Sequence, residues 1–351
     1  MFMEYAISIS TQKEREVKDT KSIPFGQQPT EHMFIAEYKN GQWQNSRIVP
    51  FANLTMSPFA LCLHYGQTVF EGMKAFLMND GRVNIFRPDK HYERFALSLE
   101  RMCMPNVPKG LFTEALHQLV QLDSSWVPSE ADGSLYLRPF VIATEEKIGV
   151  KAADEYLFMI VCTPAYQYYA KPLKVKVEDN FVRAADGGTG ATKCGGNYGG
   201  ALYPTKLAKE SGYDQVLWTD SKTHELIEES GTMNVMFYID DTLITPPLSG
   251  TILDGITRDS MLAIAKDMGI KTDVRPIRYK EIIESLEAGK KVEAFGAGTA
   301  AVIAPIEIIG VNGKDYKCYL GEDATMYKLQ KALLDIRKGV TNDKHNWNYI
   351  V

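Results

Sequence analysis

The chain has 351 residues, 45% of them apolar and 24% charged, and Lys+Arg 39 against Asp+Glu 44 leaves a formal net charge of −5. That length suggests two domains or one large one, and the composition excludes a disordered or low-complexity chain. The acidic balance offers no basic footprint for nucleic acid and no polybasic segment for an anionic membrane.

Residues 1–18 carry an acid at Glu4 and no basic region ahead of an apolar stretch, so no secretory signal is expected. Strand-like segments at Met33–Tyr38 and Gln42–Ile48 meet at Asn40-Gly41, a hairpin dipeptide, and a second pair, Met73–Phe76 and Val83–Phe86, flanks Asn79-Asp80-Gly81. Pro88 opens a helix that runs to about Met102, and another is expected over Thr113–Leu122. Leu135–Ala143 and Tyr156–Cys162 read as buried strands. The second of these is the longest apolar run, and seven residues fall far short of the roughly 18 that a membrane span needs. Thr163 to Pro172, with two prolines bracketing three tyrosines, reads as an interdomain linker.

Strand Leu173–Glu178 follows, then a glycine-dense stretch at 187–200. A helix at 203–211, strand Gln215–Thr219, and a hairpin of Val235–Asp240 with Thr242–Thr245 come next. Helices at Ile256–Met268, Tyr279–Ala288 and Ala324–Lys338 complete the chain. Glycines 212, 269, 289 and 339 stand just past the four helix ends, where a left-handed residue is least strained. Strands mixed with helices in two halves predict an α/β (α+β) chain with mixed sheets and flanking helices. The expected division is a smaller N-terminal domain over 1–165, a linker over 166–172 and a larger C-terminal domain over 173–351.

Cys62, Cys103, Cys162, Cys194 and Cys318 are odd in number, widely spaced and without a C-x-x-C, which predicts reduced thiols and a cytoplasmic protein. None of the six histidines falls in H-E-x-x-H, and no metal is expected.

Two glycine-rich segments compete as sites. Gly296-Ala297-Gly298-Thr299-Ala300-Ala301 fits G-x-G-x-x-[GA] after the strand Val292–Phe295, but strand-like Val302-Ile303-Ala304 and Pro305 follow where a dinucleotide site requires a helix. A tight turn offering backbone N–H groups to an anion is the better reading. At 187–200, Lys193 follows Thr192 and precedes Cys194, so the phosphate loop G-x-x-x-x-G-K-[ST] is not met. What remains is one lysine among small residues that leave room for a planar group. A lysine amine becomes a covalent catalyst as a Schiff base with a carbonyl cofactor.

The segment Phe181-Val182-Arg183-Ala184-Ala185-Asp186, leading into Ala191-Thr192-Lys193-Cys194-Gly195-Gly196-Asn197-Tyr198, resembles the lysine region of branched-chain amino acid aminotransferases, which are fold type IV pyridoxal phosphate enzymes. Residues 64–76 (HYGQTVFEGMKAF), Phe86-Arg87-Pro88, 228–234 (EESGTMN), 245–258 (TPPLSGTILDGITR) and 295–300 (FGAGTA) agree in the same order, so the resemblance covers about residues 30 to 340.

The resemblance implies that Lys193 carries pyridoxal 5'-phosphate and moves the substrate's proton, that Glu229 faces the pyridine nitrogen, and that Tyr198 bonds the phenolic oxygen. It gives the phosphate to Arg87 and to backbone amides at Ile256, Thr257 and Thr299. It lines the substrate pocket with Tyr65, Phe70, Tyr136, Tyr166, Thr232 and Ala300, and puts Arg138 on glutamate's side-chain carboxylate. Ala301 and Ala304 occupy the positions where mammalian members have C-x-x-C, so no thiol switch is expected there; Arg183 receives no role. The implied reaction is reversible transfer of an amino group from L-leucine, L-isoleucine or L-valine to 2-oxoglutarate, giving L-glutamate, in a homodimer. Within the fold, a D-amino acid or amine aminotransferase or an aminodeoxychorismate lyase stays open. Outside it, an NAD-dependent dehydrogenase using the Gly296 turn and a dimeric binding protein without catalysis are the alternatives.

Overall fold

The computed structural model describes residues 5–11, 21, 24–166, 169 and 171–351. Its strands form two nine-stranded sheets, one in each of two compact units. The first unit takes Met1–Tyr168, Lys193–Gly196 and Ile336–Val351, and the second takes Tyr169–Thr192 and Asn197–Asp335.

The first sheet contains β1 (Ser8–Ile9), β2 (His32–Lys39), β3 (Gln42–Pro50), β4 (Thr68–Phe70), β5 (Met73–Leu77), β6 (Val83–Phe86), β7 (Ser134–Ala143), β8 (Tyr156–Ala165) and β18 (Asn348–Ile350). They run in the order β1-β3-β2-β8-β7-β5-β6-β18, with β4 also on β7. Asn40 and Gly41, with φ of 53° and 79°, make the turn between β2 and β3. One face of this sheet packs on α2 (Pro88–Arg101) and α3 (Lys109–Leu122) through Phe34, Phe95, Leu99, Phe112, Leu116 and Phe158. Each such side chain contributes about 1.5–3 kcal/mol when fully buried. A short helix, α1 (Leu61–Tyr65), ends at the left-handed Gly66.

The second sheet contains β9 (Leu173–Val177), β10 (Gln215–Thr219), β11 (Ile227–Ser230), β12 (Met233–Ile239), β13 (Thr242–Thr245), β14 (Lys271–Val274), β15 (Glu293–Gly298), β16 (Val302–Val311) and β17 (Lys314–Lys317). Its order is β11-β10-β9-β16-β15-β12-β13-β14, with β17 on β16 and β11 also paired to β12. A core of Val175, Leu217, Phe237, Ile282, Val292 and Ile306 lies with it. Beside the strands run α4 (Gly196–Gly199), α5 (Leu202–Glu210), α6 (Ile256–Asp267), α7 (Tyr279–Glu287) and α8 (Thr325–Arg337).

Two sequence expectations change. Strand β8 runs on through Thr163 and Pro164 to Ala165, with Pro164 opposite Leu135, so the start of the expected linker is sheet; residues 167, 168 and 170 of the 166–172 linker lie outside the described residues. The units are not contiguous stretches, because β18 pairs with β6 and the strip Lys193–Gly196 pairs with β4, pairings that local sequence does not announce. A third expectation holds: strand-like residues follow the Gly296 turn, with Gly296 and Gly298 within β15 and the chain returning antiparallel as β16, Gly298 opposite Val302. The helix a dinucleotide fingerprint requires is therefore missing.

Candidate active site

In the first unit the strip around Lys193 is held by its backbone. The Phe70 N–H donates to the Lys193 carbonyl (3.1 Å), the Gly195 N–H donates to the Thr68 carbonyl (3.2 Å), and Val69 bridges to Cys194. A Cβ on Gly195 would collide with Thr68 Oγ1, so only glycine allows this approach. On its other side, the Lys193 N–H donates to Ser98 Oγ on α2 (3.0 Å). The Lys193 amine lies 4.9 Å from the centre of the Phe70 ring.

Phe70, Tyr136 and Arg138, three of the residues nominated for the substrate pocket, lie together. The Arg138 guanidinium carbon is 4.8 Å from the Phe70 ring and 5.3 Å from the Tyr136 ring, and Arg138 Nη2 donates to the Tyr136 hydroxyl (2.9 Å). Arg138 Nε is buried with no hydrogen-bond partner among the described residues, which leaves a donor for an anion. A Cβ on Gly72 would collide with the Tyr136 hydroxyl, so Tyr136 occupies the space that the missing side chain leaves. Tyr65 stands apart at the end of α1, exposed, with its ring near His64 (6.0 Å), and Tyr166 is half-buried just past β8.

Arg87, the residue expected on the phosphate, opens α2. It caps α2 in a left-handed conformation, its N–H donates to the Trp347 carbonyl, and its guanidinium lies 4.7 Å from the Trp347 ring. Burial, with the Arg87 charge nearby, pushes the Arg337 guanidinium down to about 9. Burial, with Arg337 nearby, likewise holds the Lys74 amine down at about 7. The guanidinium that shares a helix face with Ser98 is Arg94, a residue that no local sequence signal marks. It is buried and binds Glu71 in two-pronged fashion, Nε to Oε1 (2.7 Å) and Nη2 to Oε2 (2.9 Å).

His91 Nδ1 also meets Glu71 Oε2 (2.7 Å), and burial holds the imidazole down at about 4 although Glu71 pulls upward. The native ring thus stays neutral where an unfolded histidine, near 6.5, takes a proton. The unfolded chain binds more protons between pH 6.5 and 4, so stability falls with acid across that window. The slope from this group reaches about 1.4 kcal/mol per pH unit. Unfolding of wild type and His91→Asn between pH 4.5 and 7 should show a shallower loss in the variant; equal slopes would assign the acid sensitivity elsewhere.

In the second unit Glu229 is buried on β11. Its Oε1 accepts from the Leu253 N–H (2.8 Å) and Asn234 Nδ2 (3.5 Å), and its Oε2 stands 3.2 Å from Arg183 Nε. That last contact is an ion pair without hydrogen-bond alignment. Arg183 Nη2 donates to the carbonyls of Gly190 (3.0 Å) and Thr251. The arginine without an assignment thus joins Glu229 to the glycine-rich stretch. Its neighbour Glu228 lies beside Thr251, whose hydroxyl donates to it (2.5 Å), and burial raises its proton affinity.

The rest of the glycine-rich stretch is pinned by Asn197, whose Nδ2 donates to the carbonyls of Thr189 (2.8 Å) and Thr192 (2.7 Å) while its Oδ1 accepts from Thr189 Oγ1 (2.6 Å). Tyr198 is half-buried in α4. Ile256 and Thr257 open α6 behind Gly255, which has no side chain to cap the helix. A Cβ there would collide with Asn234 Oδ1. Thr299 and Ala300 are half-buried at the end of β15, and Thr232 is exposed in the β11–β12 turn. Among the described residues no cluster of His, Cys, Asp and Glu could hold a metal, and no helix is long and apolar enough to cross a membrane.

Residues 68–309 match the amino-transferase class IV family model. A branched-chain-amino-acid transaminase of Bacillus subtilis (strain 168) is 43% identical over 339 residues, 95% of each chain. Among solved structures, the Escherichia coli branched-chain amino acid aminotransferase superposes with a TM-score of 0.72 at 25% identity, covering 91% of this chain and 98% of that one. The Thermobaculum terrenum branched-chain amino acid aminotransferase, in its PLP (holo) form, gives 0.75 at 22% identity over 92% and 99% of the two chains, a likeness of fold. The chain belongs to the class IV aminotransferases and, within them, to the branched-chain amino acid aminotransferases.

Proposed function

We propose that the chain transfers the amino group of L-leucine, L-isoleucine or L-valine to 2-oxoglutarate with pyridoxal 5'-phosphate as cofactor. The observation that carries the reading is Lys193, a half-buried lysine fixed by its backbone on two sides. The residues present fit this cofactor: an amine, a buried carboxylate, a phenol, a glycine-capped helix start for an anion, and a guanidinium at the start of α2. When bound, pyridoxal 5'-phosphate supplies an aldehyde that condenses with amines and a ring that takes up the electron pair left on the substrate Cα.

The chain's own groups do the rest. Lys193 Nζ moves the proton between the substrate Cα and the cofactor's C4′ atom. Glu229 keeps the pyridine nitrogen protonated by holding a negative charge against it. Tyr198 donates to the phenolic oxygen, and the N–H groups of Ile256, Thr257 and Thr299 bind the phosphate. Arg87, at the start of α2, supplies the guanidinium for the phosphate. Arg138 takes a carboxylate, and Phe70, Tyr136, Tyr65, Tyr166, Thr232 and Ala300 shape the aliphatic side of the pocket.

Exposed Phe59, Leu63, Ile148 and Val150 in the first unit support a second copy of the chain as partner, and five free cysteines support a reducing, cytoplasmic setting.

The test is a visible spectrum of the cofactor-loaded protein. L-leucine should shift its band, and 2-oxoglutarate should restore it with release of glutamate. No band would end the reading; bleaching by D-alanine but not L-leucine would favour the D-amino acid alternative, and pyruvate without an acceptor the lyase.

A further inference from the structure

Helix α2 sets His91, Arg94 and Ser98 three and four residues apart, which places all three on one face. Ser98 holds Lys193. The other two hold Glu71, the residue immediately after β4. The Glu71 carboxylate is completely buried and accepts four hydrogen bonds: two from Arg94, one from His91 Nδ1 and one from the Gly72 N–H (3.1 Å). Its own N–H donates to the Pro139 carbonyl on β7 (2.7 Å), which ties the same residue to the sheet. Strand β4 and helix α2 are the two elements that grip the Lys193 backbone, one through Phe70 and one through Ser98, and Glu71 joins them.

We propose that Glu71, held by His91 and Arg94, is a latch between β4 and α2 that sets the direction in which the Lys193 amine points, making Glu71 and His91 positioning residues for amino transfer. Neither touches the reacting atoms; both act through the groups that hold Lys193. Neutral His91 suits this role, because it donates a hydrogen bond without placing a second positive charge near the lysine amine. The same latch fixes the rotamer of Arg94. Its loss therefore turns the amine and loosens the grip of β4 and α2 on the Lys193 strip together.

The inference rests on the reading that Lys193 carries the cofactor. The experiment compares wild type with Glu71→Gln, His91→Leu and His91→Asn as cofactor-loaded protein. It records the visible circular dichroism per bound cofactor, the cofactor dissociation constant and the melting temperature. Glu71→Gln is expected to reduce the dichroic amplitude by about half or more and to weaken cofactor binding about tenfold, the scale of losing one charge-assisted hydrogen bond. His91→Leu should move both readouts in the same direction. His91→Asn, whose amide can donate where Nδ1 does, should restore both to near wild type. Variants that melt lower while amplitude and affinity stay at wild-type values would overturn the latch, leaving an ion pair that serves folding alone. If Glu71→Gln does not fold, the two His91 variants decide on the same readouts. A wild type with no visible band would instead overturn the cofactor assignment, a distinguishable failure.

Discussion

Lys193→Ala is expected to abolish amino transfer, with kcat falling about 10³-fold or more, the range that positioned proton transfer supplies. The fold should survive. The hydrogen bonds described for this strip use backbone atoms of residues 193 and 195, which alanine keeps. The side chain is half-buried, with its amine over the Phe70 ring. A melting temperature close to wild type, with no borohydride-stable label on the protein, is the expected pair of results. Small primary amines added in excess should restore part of the rate, because they return the missing base to the space the side chain vacates. A variant that keeps its label and its turnover would place the chemistry on another amine.

Glu229→Gln is expected to reduce kcat about 100-fold or more, comparable to removing one preorganised electrostatic group. Glutamine matches the carboxylate in shape but carries no negative charge, so the cofactor ring would accept electrons less readily. This variant, unlike the first, should also lose stability. Arg183 stands 3.2 Å from Glu229 Oε2, and both side chains are more than nine-tenths buried. Removing one member of such a pair strands the other charge and costs about 3–5 kcal/mol. Adding Arg183→Gln to Glu229→Gln should recover part of that loss while leaving kcat low. Additive losses of stability in the double variant would show that the pair is not coupled.

Much of this architecture is legible in local sequence. Hairpin turns at Asn40-Gly41 and Asp240-Asp241 and glycines after four helices follow from φ preferences that a few residues express. Lys193, Glu229 and Tyr198 can be nominated because motifs around them are contiguous. His91 and Arg94 carry no such signal, since charges on a helix ordinarily mark its solvated face; Glu71 stands within the motif at 64–76 but receives no role there, and only the fold shows that its carboxylate engages them both. Arg183 is equally opaque. Its partners are Glu229 and the carbonyls of Gly190 and Thr251, between 7 and 68 residues away for the hydrogen bonds.

The pairing of β18 with β6 has a bearing on how the protein is made. Strand β6 ends at Phe86 and its partner does not begin until Asn348, so the edge of the first sheet waits for about 260 residues of translation. At roughly 5–20 residues per second, the nascent first unit leaves the outer edge of Val83–Phe86, the side away from β5, without its partner for tens of seconds on the ribosome. Four consecutive buried residues whose N–H and C=O groups on that side are open form a sticky edge during that interval. Yield in cells should therefore depend on elongation rate and on chaperones that shelter strands, more than the stability of the finished protein would suggest.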